Sequence, residues 1–264
     1  MTAARAFKLF KKFIRESLVK AEKALFHYGK VNYQGQGLIH FIDVGAIGEL
    51  PDPWFKNARY VRKLLRFEPQ EGKSVHPDVI TFDCALGSRN ETRPFHIYQG
   101  NLSHGSSFYE ANIEYVDANW ETLKTKGPAR MATTWHERSK LIKTIQVECR
   151  TLDAVLRELN LGFSFDFIKI DTQGAEFEIL SGSEDFLRND CLGLQLELYT
   201  VPVYKGIRLK DEVTAFLSER GFDLVKEYPP FGTFDCAHDG VYLRRETPPG
   251  KEEKMALIRR LYGL

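Results

Sequence analysis

Four acidic side chains in this sequence stand where an apolar run stops. Leu38-Ile39-His40-Phe41-Ile42 runs into Asp43, Lys63-Leu64-Leu65-Arg66-Phe67 into Glu68, Val79-Ile80-Thr81-Phe82 into Asp83, and Phe167-Ile168-Lys169-Ile170 into Asp171. Such runs read as buried strands. In open α/β sheets, ligands bind outside the carboxyl ends of the strands. The first acid opens Asp43-Val44-Gly45-Ala46-Ile47-Gly48, a D-x-G-x-x-G turn in which Asp43 replaces the first glycine of the dinucleotide fingerprint. A pyrophosphate seeks backbone N–H groups and no neighbouring carboxylate. S-adenosylmethionine (SAM) has no phosphate but carries an ammonium and a sulfonium, beside which a carboxylate is favourable. The turn therefore points to SAM, although its spacing also suits a plain strand-to-helix turn with a capping Asp. Glu68 follows Asp43 by about 25 residues, near the spacing at which an acid grips ribose hydroxyls in nucleotide-binding folds.

The elements that must position these acids alternate. Phe7, Phe10, Ile14, Leu18 and Leu25 form the apolar stripe of an N-terminal helix whose other faces are crowded with Lys and Arg. Such a helix can pack on its own domain, dock a second subunit or partner protein, or lie on an anionic membrane. Glycines 29, 35 and 37 lead into the first strand. The loop after Gly48 holds Pro51 and Pro53, which argue against an immediate helix, and Trp54, placed to wall one side of a pocket. Arg93 to Tyr98 alternates as an extra strand. Gly100 to Trp120 has no period and reads as a loop over the site, followed by a lid or short helices to Lys140. Thr144 to Val147 is a strand, and Thr151 caps a helix through Leu159 with Asp153 in its first turn. Further strands are expected at Phe163–Ile170, Cys191–Leu198, Phe222–Val225 and Gly240–Leu243. Helices are expected after Ala175, at Leu209–Arg220 (closed by Gly221) and at Glu252–Tyr262. Strands alternating with helices give a mostly parallel, doubly wound α/β sheet. The reading divides the chain into a basic helix and linker (1–37), a catalytic domain (38–246, with 100–140 as lid or acceptor region) and a terminal helix (247–264).

Composition narrows the class. The chain of 264 residues, 43% hydrophobic with 19 Phe, can fill the core of one generous domain. Its 37 basic and 36 acidic residues leave a net charge of +1, so no global electrostatic case exists for a nucleic-acid partner. Cys84, Cys149, Cys191 and Cys236 are far apart, without C-x-x-C or metal-ligand spacing. They read as buried free thiols of a cytoplasmic protein, and no metal is expected. No apolar stretch reaches the length of a membrane span.

Taken together, several segments resemble the FkbM family of SAM-dependent methyltransferases. They are Phe41-Ile42-Asp43-Val44-Gly45-Ala46, Phe67-Glu68-Pro69, Ala85-Leu86-Gly87, Ser106-Ser107, Thr151-Leu152-Asp153 and Ile168-Lys169-Ile170-Asp171-Thr172-Gln173-Gly174-Ala175-Glu176. Val203-Tyr204-Lys205-Gly206 and Arg220-Gly221-Phe222 add to the likeness. The resemblance implies a class I methyltransferase fold: a Rossmann-like, seven-stranded sheet with helices on both faces and a closing antiparallel hairpin. It also implies O-methylation of a sugar, glycolipid or natural product. Two departures stand out: Ile47 with the proline-bearing loop, and Thr172-Gln173, where a valine-glutamate pair is common.

On that basis Asp43, Gly45, Ala46 and Gly48 are expected around the methionine part of the cofactor. Glu68 is expected at the ribose, and Asp83 with Cys84 at the adenine edge. Asp171 is the candidate base or orienting acid, with Glu176 second, although a first-turn acid also satisfies a helix dipole. Ser106, Ser107, Glu197 and Tyr204 are expected near the acceptor. His104 and His136 are lesser candidates as bases. A nicotinamide oxidoreductase and a non-catalytic binding module are the competing classes. Asp43 in place of glycine argues against the first.

Overall fold

The computed structural model describes residues 37–46, 49–69, 73–75, 78–100 and 105–264. The helix expected from Phe7 to Leu25 lies outside the described residues, as do Gly48 and His104. The strands are β1 (Ile39–Val44), β2 (Val61–Phe67), β3 (Ser74–Val75), β4 (Val79–Phe82), β5 (Ala85–Leu86), β6 (Glu91–Tyr98), β7 (Leu141–Arg150), β8 (Phe167–Ile170), β9 (Gly193–Tyr199), β10 (Phe222–Glu227) and β11 (Ala237–Arg244). The helices are α1 (Ile113–Ala118), α2 (Trp120–Leu123), α3 (Ala129–Thr133), α4 (Trp135–Arg138), α5 (Leu152–Leu159), α6 (Glu176–Ser181), α7 (Glu184–Asn189), α8 (Lys210–Glu219) and α9 (Glu252–Tyr262).

The main sheet runs β10-β11-β9-β8-β1-β2-β4-β3. From β4 to β9 the neighbours are parallel, while β11 is antiparallel to both β9 and β10. This is the mostly parallel α/β sheet that the alternation implied, ending in the antiparallel hairpin that the family resemblance implied. It has eight strands rather than seven, because Ser74–Val75 adds an antiparallel edge to β4. A larger difference concerns the strand expected at Thr144–Val147. It is the longer β7, and it sits outside the main sheet in a separate β5-β7-β6 sheet. The physical reason is burial: β7 is exposed from Leu141 to Thr144 and buries only Val147 and Cys149, whereas a central parallel strand must be covered on both faces.

All six residues of β1 are buried, and its alternation feeds two cores. Ile42 and Val44 join Leu65, Phe67, Ile168 and Ile170 under the apolar faces of α5 to α8. Ile39 and Phe41 face the opposite core, closed by Met255, Leu257, Ile258 and Tyr262 of α9. Each such buried side chain is worth about 1.5–3 kcal/mol relative to exposure. The charged terminal helix is thus one wall of the core. Trp54, expected beside a pocket, is fully buried in that same core. Its ring packs on Phe41 and Phe167, and its Nε1 donates to Tyr262 Oη at 2.7 Å. Tyr262 Oη donates in turn to Gln195 Oε1 at 2.7 Å. An indole N–H needs such a partner when buried.

Thr151 caps α5 as expected, its Oγ1 accepting from Ala154 N at 3.2 Å. Asp153 does more than answer its own helix dipole. Its carboxylate accepts from Asp185 N and Phe186 N at 2.9 and 3.0 Å, capping α7, a helix the sequence pattern did not reveal. A third apolar cluster, including Tyr98, Val116, Trp135, Tyr204 and Phe234, roofs the carboxyl ends of the strands. The short helices α1 to α4 lie in the stretch expected as lid or acceptor region. All four cysteines are buried free thiols. No helix among the described residues is long and apolar enough to cross a membrane.

Candidate active site

Three charged residues line up across the strands. Asp43 on β1 is in register with Arg66 on β2 and Lys169 on β8, so the three side chains leave the same face of the sheet. Asp43 is 1% exposed. Lys169 Nζ lies 3.5 Å from Asp43 Oδ1 and 3.6 Å from Asp171 Oδ2, and donates to the Gly45 carbonyl at 3.2 Å. Burial pushes Lys169 down, but Asp171, Asp43 and Glu197 outweigh it and raise it. The lysine therefore stays charged beneath the turn. Arg66 donates from Nη2 to the Ala46 carbonyl.

The chain turns at Gly45 with φ +71°. A Cβ there would stand 1.9 Å from the Asp171 carbonyl oxygen, so glycine is required for both the backbone angle and the close approach. Gly45 N donates to Phe67 O at 3.1 Å, and Asp171 N to Val44 O at 3.2 Å. These bonds hold the ends of β1, β2 and β8 together, and with them Gly45, Glu68 and Asp171.

After Asp171 the loop is shaped from inside. Glu176 Oε1 accepts from Thr172 N at 2.9 Å and Thr172 Oγ1 at 3.0 Å, and its Oε2 accepts from Gly174 N at 3.0 Å. Burial pushes the Glu176 carboxyl up to about 7 against these bonds, which favour the ion. Gln173 takes φ +59° and Gly174 φ +106°. Gln173 Nε2 donates to Glu197 Oε1 at 3.0 Å and to Asp171 Oδ1 at 3.3 Å. Its Oε1 accepts from Tyr199 Oη at 2.6 Å and Tyr204 Oη at 3.3 Å, and Ser107 Oγ donates to its carbonyl at 2.6 Å. Glu197 is pushed well up by burial, then by the charges of Asp171, Asp239 and Glu176. Asp239, in register with Glu197 on β11, is raised to about 6 by burial and by Asp171.

A cavity of about 520 Å³ opens over these strand ends, within the range of small-molecule sites. Gly45, Glu68, Asp171 and Glu197 supply one set of walls. Tyr98, Trp135, Arg138, Tyr204 and Phe231 supply another. Carboxylates at strand ends can hold hydroxyls and a cation, or take a proton. The aromatic walls suit an apolar or ring-bearing molecule.

The family model of the methyltransferase FkbM domain matches residues 43–224, more than half of the chain. The chain belongs to the FkbM methyltransferase family. The crystal structure of the FkbM methyltransferase of Methylobacillus flagellatus is similar over 82% of this chain and 47% of that one, with 10% identity and a TM-score of 0.42. This FkbM chain thus spans about half the length of that protein. A Streptococcus pneumoniae protein described as a candidate tRNA (m1A22) methyltransferase matches at 15% identity, covering 86% of this chain and 74% of that one, with a TM-score of 0.35. A Streptococcus thermophilus protein described as a candidate hemolysin matches at 10% identity over 92% and 72%, with a TM-score of 0.37. No curated protein matches the chain.

Within the FkbM domain, six of the expected site residues line the cavity: Gly45, Glu68, Ser106, Asp171, Glu197 and Tyr204. Others lie elsewhere among the described residues, each for a physical reason. Asp43 faces Lys169 because the pleat turns it along the sheet face rather than over the strand end. Ala46 is buried, its carbonyl bound to Arg66. Asp83 is exposed and Cys84 is buried, while the next two residues, Ala85 and Leu86, reach the wall. Ser107 and Glu176 spend their side chains on the loop. His136 is exposed and pairs with Asp117 at 2.6 Å. Sequence reasoning missed Gln173 as the hub of the site, and also Tyr199 and Arg138. Tyr199 was detectable, since two residues after Glu197 on a strand means the same face. Arg138 lies in a stretch without period and carried no signal.

Proposed function

We propose that this FkbM domain transfers the methyl group of SAM to a hydroxyl oxygen of a sugar, glycolipid or natural product. One observation carries the reading: Glu68, Asp171 and Glu197, from three different strand ends, line one cavity beside the Gly45 turn. That donor set fits a ligand bearing an ammonium, a sulfonium and ribose hydroxyls, and it disfavours a pyrophosphate. When bound, SAM supplies an electrophilic methyl group. Glu68 would accept hydrogen bonds from its ribose hydroxyls. The backbone at Gly45, braced from below by Lys169 and Asp43, would hold the amino-acid end, and Ala85 and Leu86 would offer apolar surface to the adenine.

On the acceptor side, Asp171 takes the hydroxyl proton at a carboxylate oxygen. Gln173 orients Asp171 and Glu197 together, because its Nε2 donates to both. Glu197, raised by burial, hydrogen-bonds the acceptor, with Ser106 and Tyr204 completing the wall. Glu176 is a positioning residue that shapes the loop carrying Asp171. Calorimetric titration of the purified protein with SAM, S-adenosylhomocysteine and NADH tests the cofactor assignment. Binding of the first two and not the third is expected, and absence of binding by both sulfur compounds would overturn it. Transfer of labelled methyl from SAM to hydroxylated acceptors tests the reaction.

A further inference from the structure

We infer that the acceptor carries an anionic group, a carboxylate or a phosphate ester, and that Arg138 binds it. Arg138 ends α4 and lines the cavity. It is the one Lys or Arg among the described lining residues. Its guanidinium is braced on one side. Nε donates to Thr134 Oγ1 at 3.2 Å, and Nη2 donates to Met131 O at 2.8 Å and Thr233 Oγ1 at 2.6 Å. All three acceptors are neutral, and Nη1 has no partner among the described residues. No ion pair joins Arg138 to a carboxylate of the cavity among the described residues. Burial lowers Arg138.

A guanidinium held in place by three neutral acceptors keeps Nη1 as a free donor toward the cavity, and an anion there adds a charge-assisted hydrogen bond that the neutral partners do not supply. A guanidinium matches the geometry of a carboxylate or a phosphate. Tyr98, Trp135 and Phe231 offer apolar surface for the rest of the molecule. The inference rests on the methyl-transfer reading only in naming the anion's carrier as the acceptor. The anion site stands on Arg138 itself.

The test is calorimetric binding of benzoate, phenyl phosphate and benzyl alcohol to the full chain, with and without S-adenosylhomocysteine. At least one of the anions should bind about tenfold or more tightly than benzyl alcohol, and more weakly as salt is raised. Benzoate alone would assign a carboxylic acid, and phenyl phosphate alone a phosphate ester. Arg138→Gln should erase the preference, and Arg138→Lys should retain part of it. Equal binding of benzyl alcohol, no anion binding, or unchanged anion binding by Arg138→Gln would each overturn the inference. Because Arg138 also braces Met131 and Thr233, melting temperatures accompany each variant, and the salt dependence of the unsubstituted protein decides without any variant. Failure to bind S-adenosylhomocysteine with the anion preference intact overturns the methyl-transfer reading and leaves the anion site in place.

Discussion

Gly45 and Asp171 meet backbone to backbone: a Cβ on Gly45 would stand 1.9 Å from the Asp171 carbonyl oxygen. The turn that opens the family motif is therefore packed against the residue that closes the central strand. Gly45→Ala must push the two strand ends apart and also place alanine at φ +71°. A stability loss of about 1–3 kcal/mol is expected, read by thermal denaturation. Cofactor affinity should fall with it. A variant that melts and binds like the parent would show that the strand ends are not coupled.

Asp171→Asn separates positioning from proton transfer. The amide keeps the shape but takes up a proton poorly. Turnover should drop by about 10²–10⁴-fold, while S-adenosylhomocysteine binding changes by only a few fold. An unchanged rate would exclude Asp171 as base.

Gln173→Glu removes a donor shared by two carboxylates and adds a third negative charge beside them. Extra negative charge makes the neighbouring carboxyls harder to ionise. The acid limb of the pH–rate profile should move to higher pH, since the base must be ionised to act. A profile with a lower plateau and no shift would mean that the hub acts through geometry alone.

Tyr262→Phe leaves Trp54 Nε1 and Gln195 Oε1 without their shared hydroxyl. A buried donor and acceptor left unsatisfied cost about 1–3 kcal/mol, measurable by urea denaturation. The site lies outside the cavity lining, so methyl transfer well below the melting temperature should be unaffected.

Burial raises Glu176 to about 7 and Asp239 to about 6. The folded chain then holds protons that the unfolded chain has already released. The contribution of these two groups to stability is present at acid pH, declines as pH rises from about 4 to about 7, and is flat above that. Asp239→Asn should flatten the part of the slope below about 6 in denaturation midpoints taken across this range. An unchanged slope would remove Asp239 from the account.

Much of the molecule was determined by sequence alone. Runs such as Phe41-Ile42 and Ile168-Lys169-Ile170 read as central strands, because buried parallel strands need apolar residues on both faces. The acids that end them had to gather at one sheet edge, since parallel strands share a carboxyl end. That local logic put Glu68 and Asp171 at strand ends that line the cavity, and it capped α5 at Thr151. Tertiary structure decided the rest. The pleat and register, not the motif, set Asp43 against Lys169. Exposure along its outer half took β7 out of the main sheet. The terminal helix α9 reached across the sheet to claim Trp54 from the pocket. Gln173 became the hub because a positive φ aims its amide between two strand ends, which no spacing encodes. Arg138 reached the cavity only when α4 packed over strands distant in the chain. Contacts between groups far apart in sequence depend on how faces pack, and a single chain read in order carries no signal for them.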